Sequence, residues 1–418
     1  MGSRSSSARK SEAHATTSLP RDRRVIALLA PATFFEGYDN LILGLALPLI
    51  GKEFGLGPGA LGVVASIVFG GSFGVLVLLP LADRFGRRPL LAVTIVGYTM
   101  ATFLTAFSRG VVDFVAFQFV ARIFLGAEYA LATIVLVEVL SRERRGKALA
   151  LVSSMSAFGQ AGAGVGFLLV VALGASWRTL YLVGILPLLL VVQARRALPE
   201  TAAWRAEKRP GRGDRLAGVR MPWLFATSAV SFLFAVFPTA VTTFASYLVL
   251  KEWRWNLHSI NPAYVVAWIL AVGGFFVAGR LLDTLGRRPT SVLFLSGASV
   301  AGLVAFRMSS TPGRVLGLAV VIFFLTGSTP CVAAYSTELF PARSRGRVGA
   351  ILRTANIAGA GAAPALTGLL SGPLGGVGPA LSVVGLSYVA AAAVVLFALP
   401  ETRWLDLESP RPEPAQLS

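Results

Sequence analysis

A helix needs ~20 consecutive apolar residues to cross roughly 30 Å of hydrocarbon, and this chain of 418 residues offers twelve such stretches. They fall at 25–50, 59–82, 90–108, 112–140, 148–173, 178–194, 222–250, 261–282, 290–307, 315–340, 348–371 and 379–399, here numbered as spans one to twelve. Backbone groups in lipid must bond within their own segment. Stretches of this length, rich in Ala, Leu and Gly, therefore read as helices rather than barrel strands. Charged residues make up only 14% of the chain and hydrophobic ones 55%, whereas a soluble domain carries about a quarter charged. The expected class is an all-α membrane protein with twelve transmembrane helices.

Lys and Arg set the orientation of such a chain. One side collects Arg21, Arg23 and Arg24, Arg84/Arg87/Arg88, Arg142/Arg144/Arg145/Lys147, the segment 195–221, Arg287/Arg288, Arg343/Arg345/Arg347 and the C-terminal tail. The opposite loops hold scattered cations such as Lys52, Arg109, Arg178, Lys251 and Arg254. An even number of spans then puts both termini in the cytoplasm of a multi-pass protein of the cell membrane. The formal charge of +18 is thus a topology signal, and nucleic acid is excluded as a partner. One cysteine, Cys331, rules out an internal disulfide framework, and two histidines, His14 and His258, supply no metal cluster. No Ser/His/Asp set or phosphate loop is visible, so neither an enzyme nor a metal or organic cofactor is expected. Residues 1–24 are rich in Ser and Arg and read as a disordered cytoplasmic tail.

The chain is also duplicated. LADRFGRRP at Leu81–Pro89 returns as LLDTLGRRP at Leu281–Pro289; Glu138 returns as Glu338, and Arg145-Gly146 as Arg345-Gly346. LPET at 198–201 returns at 399–402, one residue out of step. These correspondences predict a six-helix bundle at 25–194, a cytoplasmic linker at 195–221 rich in Pro, Gly and Arg, a second six-helix bundle at 222–399 and a tail at 400–418. Each half has six spans, so the halves are parallel pseudo-repeats related by an axis along the membrane normal, an arrangement suited to a substrate path in a central cavity between two rocking bundles.

At these residues the chain resembles the major facilitator superfamily, whose signature G-x-L-A-D-R-x-G-R-R is met between spans two and three. Leu79 stands for the usual Gly in the first copy, while the second keeps Gly279. The resemblance implies that Asp83, Arg84, Arg87, Arg88, Glu138 and Arg145, with Asp283, Arg287, Arg288, Glu338 and Arg345, form ion pairs between the halves that hold the inner gate shut. Arg353 in span eleven is a further partner for Asp83.

Charge near the bilayer midplane is expensive and usually functional. Span one carries Glu36 and Asp39 in FFEGYDNL, and span four carries Arg122 and Glu128 in ARIFLGAEYA. At 1.5 Å per residue, Asp39 lies roughly 20 Å above the cytoplasmic start of its span and Arg122 about 15 Å below the outer start of its own. Antiparallel helices bring the two to similar depth. Arginine does not usefully deprotonate, so the carboxyl group is the titrating member; Glu36, one turn before Asp39, can share its proton. Glu128 sits on another face of span four, where it is buried in packing or meets the second half.

Gly37–Asp39 and Arg122–Gly126 look like the coupling pair of proton-linked sugar symporters, and an acid after Gly-Tyr is also typical of aromatic-acid and metabolite–proton symporters. Phe158-Gly159-Gln160 and Glu338–Pro341 are similar to sugar-porter marks, which makes Gln160 a substrate ligand by resemblance. Span seven departs from that group: it lacks the paired glutamines and asparagine, and span ten has no tryptophan. Remaining candidates for substrate contact are Tyr247, Thr243, Asn356 and Glu128, with Thr239, Thr242 and Thr329 as further polar positions. A hydroxyl in a helix more often bonds its own backbone. The expected function is proton-coupled symport of a small polar metabolite, organic acid or sugar-like, by alternating access in a monomer, with protons, substrate and lipid as its partners and the proton gradient as driving force. Proton-coupled efflux of a drug or metabolite is the alternative. A Gly-Pro pair typical of drug antiporters is missing from AFGQAGAGVGFLL in span five.

Overall fold

The computed structural model describes residues 4–139, 142–186, 218–255, 273–341 and 344–403, excluding the side chains of 4–25, 27, 28, 83, 88, 129, 137–139, 142–150, 152 and 153. Helix dominates, and no strand occurs among the described residues. Span one is the helix Arg4–Phe54, which carries residues 4–24 along as helix where the sequence suggests disorder. The Ala, Arg, Lys and Glu residues of that stretch are good helix formers.

Span two runs as Pro58–Gly70, a 3₁₀ turn Gly71–Gly74 and Val75–Phe85. Spans three, four and five are Arg87–Thr105, Val111–Val139 and Arg142–Ala172; span six opens with Arg178–Val183. Span seven, Met221–Tyr247, ends in a π-helical turn Leu248–Glu252. Helix 273–284 is the end of span eight. Spans nine, ten and eleven are Arg287–Ala305, Thr311–Glu338 and Arg345–Ser371, and span twelve is split into Val377–Val384 and Leu386–Ala398. Among the described residues, seven helices are long and apolar enough to cross a membrane.

The duplication is visible in the backbone. Spans two and three are joined through Gly86 at φ 103°, and spans eight and nine through Gly286 at φ 108°. A side chain is strained at such angles, so both copies of the motif place glycine where the chain must reverse within one residue.

Contacts divide the chain into two compact units, 1–211 with 242–257, and 212–241 with 258–418. The boundary therefore passes through span seven, not only through the linker expected at 195–221. Its second part belongs with the first unit, where the Ser246 hydroxyl donates to the Gly44 carbonyl.

In the first unit, span one lies against span five at very short range. A Cβ on Gly159 would overlap the Phe34 carbonyl, and one on Gly37 would overlap the Ser156 carbonyl. Small residues let two membrane helices approach to backbone contact, and Gly37 and Gly159 serve this packing. Farther along the unit, Phe114, Trp177 and Tyr181 meet edge to face with centroids 5.7–6.1 Å apart. Glu53 accepts from Trp177 Nε1 and from Arg178, each at 2.7 Å, and Arg178 also donates to the Ser108 carbonyl at 2.8 Å.

The second unit is built round Ala278, Leu282, Phe294 and Cys331. Cys331 is fully buried, and its thiol donates to the Gly327 carbonyl within span ten.

Replacing Gly159 with Ala should force spans one and five apart. Overpacking of this kind costs about 1–3 kcal/mol, so the melting temperature of purified protein should fall. Gly164→Ala is the control, because its added methyl meets open space; equal melting of both variants would contradict the close contact.

Candidate functional site

The four intramembrane charges belong to spans one and four of the first unit, and all are buried: Glu36 at 7% exposure, Asp39 at 6%, Arg122 at 4% and Glu128 at 0%. Burial at this level leaves a charge dependent on protein donors and acceptors. Arg122 meets that need chiefly through Asn40. One guanidinium nitrogen donates to the Asn40 side-chain oxygen and the other to its backbone carbonyl, the latter at 3.3 Å. The Asn40 amide in turn donates to Glu36, which also accepts from the Ser156 hydroxyl at 2.9 Å. Asn40 thus links Arg122 to Glu36. The face of the guanidinium lies over the Phe69 ring, 4.7 Å from its centroid.

Asp39 stands to one side of that chain. Its Oδ2 accepts from the Thr102 hydroxyl at 3.3 Å, while Oδ1 has no hydrogen-bond partner. Asp39 and Arg122 line the same small cavity, with Ile42, Thr102, Gln118, Ala121 and Leu125 around them. Its volume of about 10 Å³ is close to what a single water molecule requires. Gln118 closes one side and donates to Thr105 at 3.0 Å.

Asn40, Ser156, Thr102 and Gln118 were not singled out by sequence. Asn40 carried a usable signal, because it follows Asp39 directly and lies four residues from Glu36 on the same helix face. Ser156, an ordinary residue in a small-residue stretch, carried none. Glu128 lies on span four with neither carboxyl oxygen hydrogen-bonded. Gln160 is half-buried on span five, Thr243 is buried on span seven and Tyr247 is half-buried one turn farther on. In the second unit, Asn356 donates to the Ser231 carbonyl at 3.3 Å. The described contacts do not gather these four residues with the Asp39 cavity.

Of the repeated motifs, the second copy is the better described. Arg287 donates to Glu338 at 3.1–3.3 Å and to the Leu282 carbonyl at 3.0 Å, with Asp283 at 3.6 Å. Arg288 presents its backbone N–H to Glu401, and Arg345 donates to the Phe340 carbonyl. Arg353 is exposed. The described pairs join spans nine and ten and the chain's end within the second unit. In the first copy Arg84 covers the Phe85 ring and Arg87 is buried. The side chains of Asp83, Arg88, Glu138 and Arg145 lie outside the described residues.

Glu401 of the second LPET was also missed as a site residue. Its carboxylate accepts from the backbone N–H of Arg287 at 2.8 Å and of Arg288 at 2.9 Å. It thereby caps the first turn of span nine, where two N–H groups would otherwise lack partners. A Cβ on Gly286 would come within 2.8 Å of Glu401 Oε2. Thr402 donates to Glu338 beside it.

The Major Facilitator Superfamily profile matches residues 29–329 and again 229–417. The chain belongs to that family and has its twelve-helix, all-α fold. Among curated relatives, the cis,cis-muconate transport protein of Acinetobacter baylyi is 27% identical over 406 residues, covering 89% of this chain and 93% of the relative. The benzoate transport protein of the same organism is 26% identical over 385 residues, covering 79% of this chain and 81% of the relative. Of solved structures, the D-xylose-proton symporter aligns with TM-score 0.74 at 18% identity, over 91% of this chain and 98% of that one. A bacterial homologue of the lysosomal transporter Spinster aligns at 0.75 with 14% identity, over 91% and 97%. The protein is a multi-pass membrane transporter of a small molecule, not an enzyme.

Burial pushes the Glu401 pKa up, but the N–H donors of Arg288, Arg287, Arg403 and Thr402 outweigh it and hold the group below its usual value. A lowered folded-state pKa gives stability that is present above the ordinary carboxylate range and is lost as pH falls through the folded value. Glu401→Gln should therefore lower the melting temperature at neutral pH by an amount equivalent to about 1 kcal/mol. The gap between variant and wild type should close on acidification; a gap independent of pH would remove the charged cap.

Proposed function

We propose that the protein is a proton-coupled symporter that brings a small organic acid across the cell membrane by alternating access, with Asp39 as the coupling carboxyl. The observation that carries this reading is the position of Asp39. It lies on a water-sized cavity opposite Arg122, with one oxygen unpartnered and its neighbour Glu36 already supplied with donors. A carboxylate with so few donors is poorly solvated when ionised. It gains from a proton while the site is sealed and gains from losing it once water or Arg122 can reach it. Rocking of the bundles would alternate those conditions.

An acid rather than a sugar is favoured on two grounds. Span seven lacks the glutamines and asparagine by which sugar porters hold hydroxyl groups, and curated relatives are named for transport of muconate and benzoate. Arg122, buried within span four, is engaged with Asn40. Substrate recognition therefore falls to polar residues outside that pair, with Gln160, Thr243, Tyr247 and Asn356 as candidates. The repeated motifs serve as the inner gate, and both termini lie on the basic, cytoplasmic side.

In vesicles holding the purified protein, an inward proton gradient should drive accumulation of labelled benzoate or cis,cis-muconate, and a protonophore should abolish it. Asp39→Asn should cut gradient-driven accumulation by more than about tenfold, as removal of an essential acid–base group does, while thermal shifts on adding the same acids persist. Uptake indifferent to the protonophore would defeat the coupling reading, and accumulation only against the opposite gradient would make the protein an exporter. Asp283→Asn should slow transport with membrane insertion unchanged; normal uptake would remove the gate role.

A further inference from the structure

We propose that Glu128 is a second proton-binding carboxyl, occupied in the conformation described here and emptied at another stage of the transport cycle. This inference rests on the proton-coupled reading and enlarges it from one exchangeable proton to two.

Glu128 is fully buried, and neither of its oxygens has a hydrogen-bond partner. Its surroundings are apolar: Leu125, Leu131 and Ala132 of the same helix belong to one core cluster with Ile95 and Tyr98 of span three. Tyr98 of span three is fully buried as well, with its hydroxyl within electrostatic reach of Glu128. An ionised carboxylate in that place would have neither counter-charge nor donor, a far costlier arrangement than the neutral acid.

The charges on neighbouring elements lead to the same assignment. From span one, Glu36 and Asp39 act on Glu128, both as acids. On span four, Arg122 is six residues away and bonds Asn40. Span two has no ionisable side chain between Pro58 and Ala82, nor has span five between Ser154 and Ala172. Three acids thus share one cation. Glu36 has Asn40 and Ser156 as donors, which makes it the carboxylate best able to stay ionised beside Arg122. Neutrality of the cluster then requires a proton on each of the other two, Asp39 and Glu128.

A permanently neutral group at this position needs no acid, since glutamine has the same shape. A carboxyl differs by being able to release its proton once water reaches it. An unsatisfied buried polar group calls for such an explanation.

Infrared difference spectra between acidic and alkaline buffer, taken on the full-length protein in lipid without substrate, report protonated carboxyl groups directly. Glu128→Gln should remove one carbonyl band that disappears on alkalinisation in the wild type, and proton uptake per molecule on acidification should fall by one. Glu128→Asp should shift that band rather than delete it, which keeps the assignment testable if the glutamine variant folds poorly. The proposal is overturned if every titrating band survives in Glu128→Gln, or if the band lost is one that never changes with pH. Failure of Asp39→Asn to remove a titrating band would instead count against the coupling role of Asp39, whatever Glu128 does.

Discussion

An arginine in the hydrocarbon layer is the constraint to which the first helical unit is fitted. Its charge cannot be neutralised by losing a proton, so acceptors must be brought to it. Asn40 does so with both its side chain and its backbone, and passes the interaction on to Glu36. That linkage fixes the rotation of span one against span four. The close contact of span one with span five follows from the same placement, because Ser156 reaches Glu36 only where Gly37 and Gly159 let the backbones meet. Burial of one cation therefore determines both the packing of three helices and the isolation of Asp39.

The second unit solves a different problem, the start and end of helices at the basic face. Span nine begins one residue after a reversal at Gly286, so its first N–H groups have no preceding turn to satisfy them. Glu401 reaches back from the far end of the chain to supply the acceptor, while Arg287 ties the same corner to Glu338. Five charged or polar groups from three separate stretches are thus held in one network.

Much of the fold was legible because its determinants are periodic or repeated. Apolar length marked the spans, and the GRRP copies marked the duplication, which the paired glycine reversals bear out. Burial of Glu36, Asp39, Arg122 and Glu128 was also readable, since each interrupts an apolar run. The partners were harder. Thr102, Gln118 and Ser156 are common residue types on other helices, and nothing in the chain's order says which turn faces which. The boundary within span seven escaped for the same reason: it depends on which neighbour Thr242–Leu257 packs against, not on composition. The helical start at Arg4 is local propensity extending a strong span.

The buried thiol of span ten has a practical consequence. Cys331 is the only cysteine in the chain, and its side chain is closed off by the surrounding helices. A bulky maleimide or spin label would pass it by, so the native sequence already behaves as a cysteine-free background. Reporter thiols can then be placed singly or in pairs along the helices, and distances between them followed through a working cycle, without first re-engineering the protein.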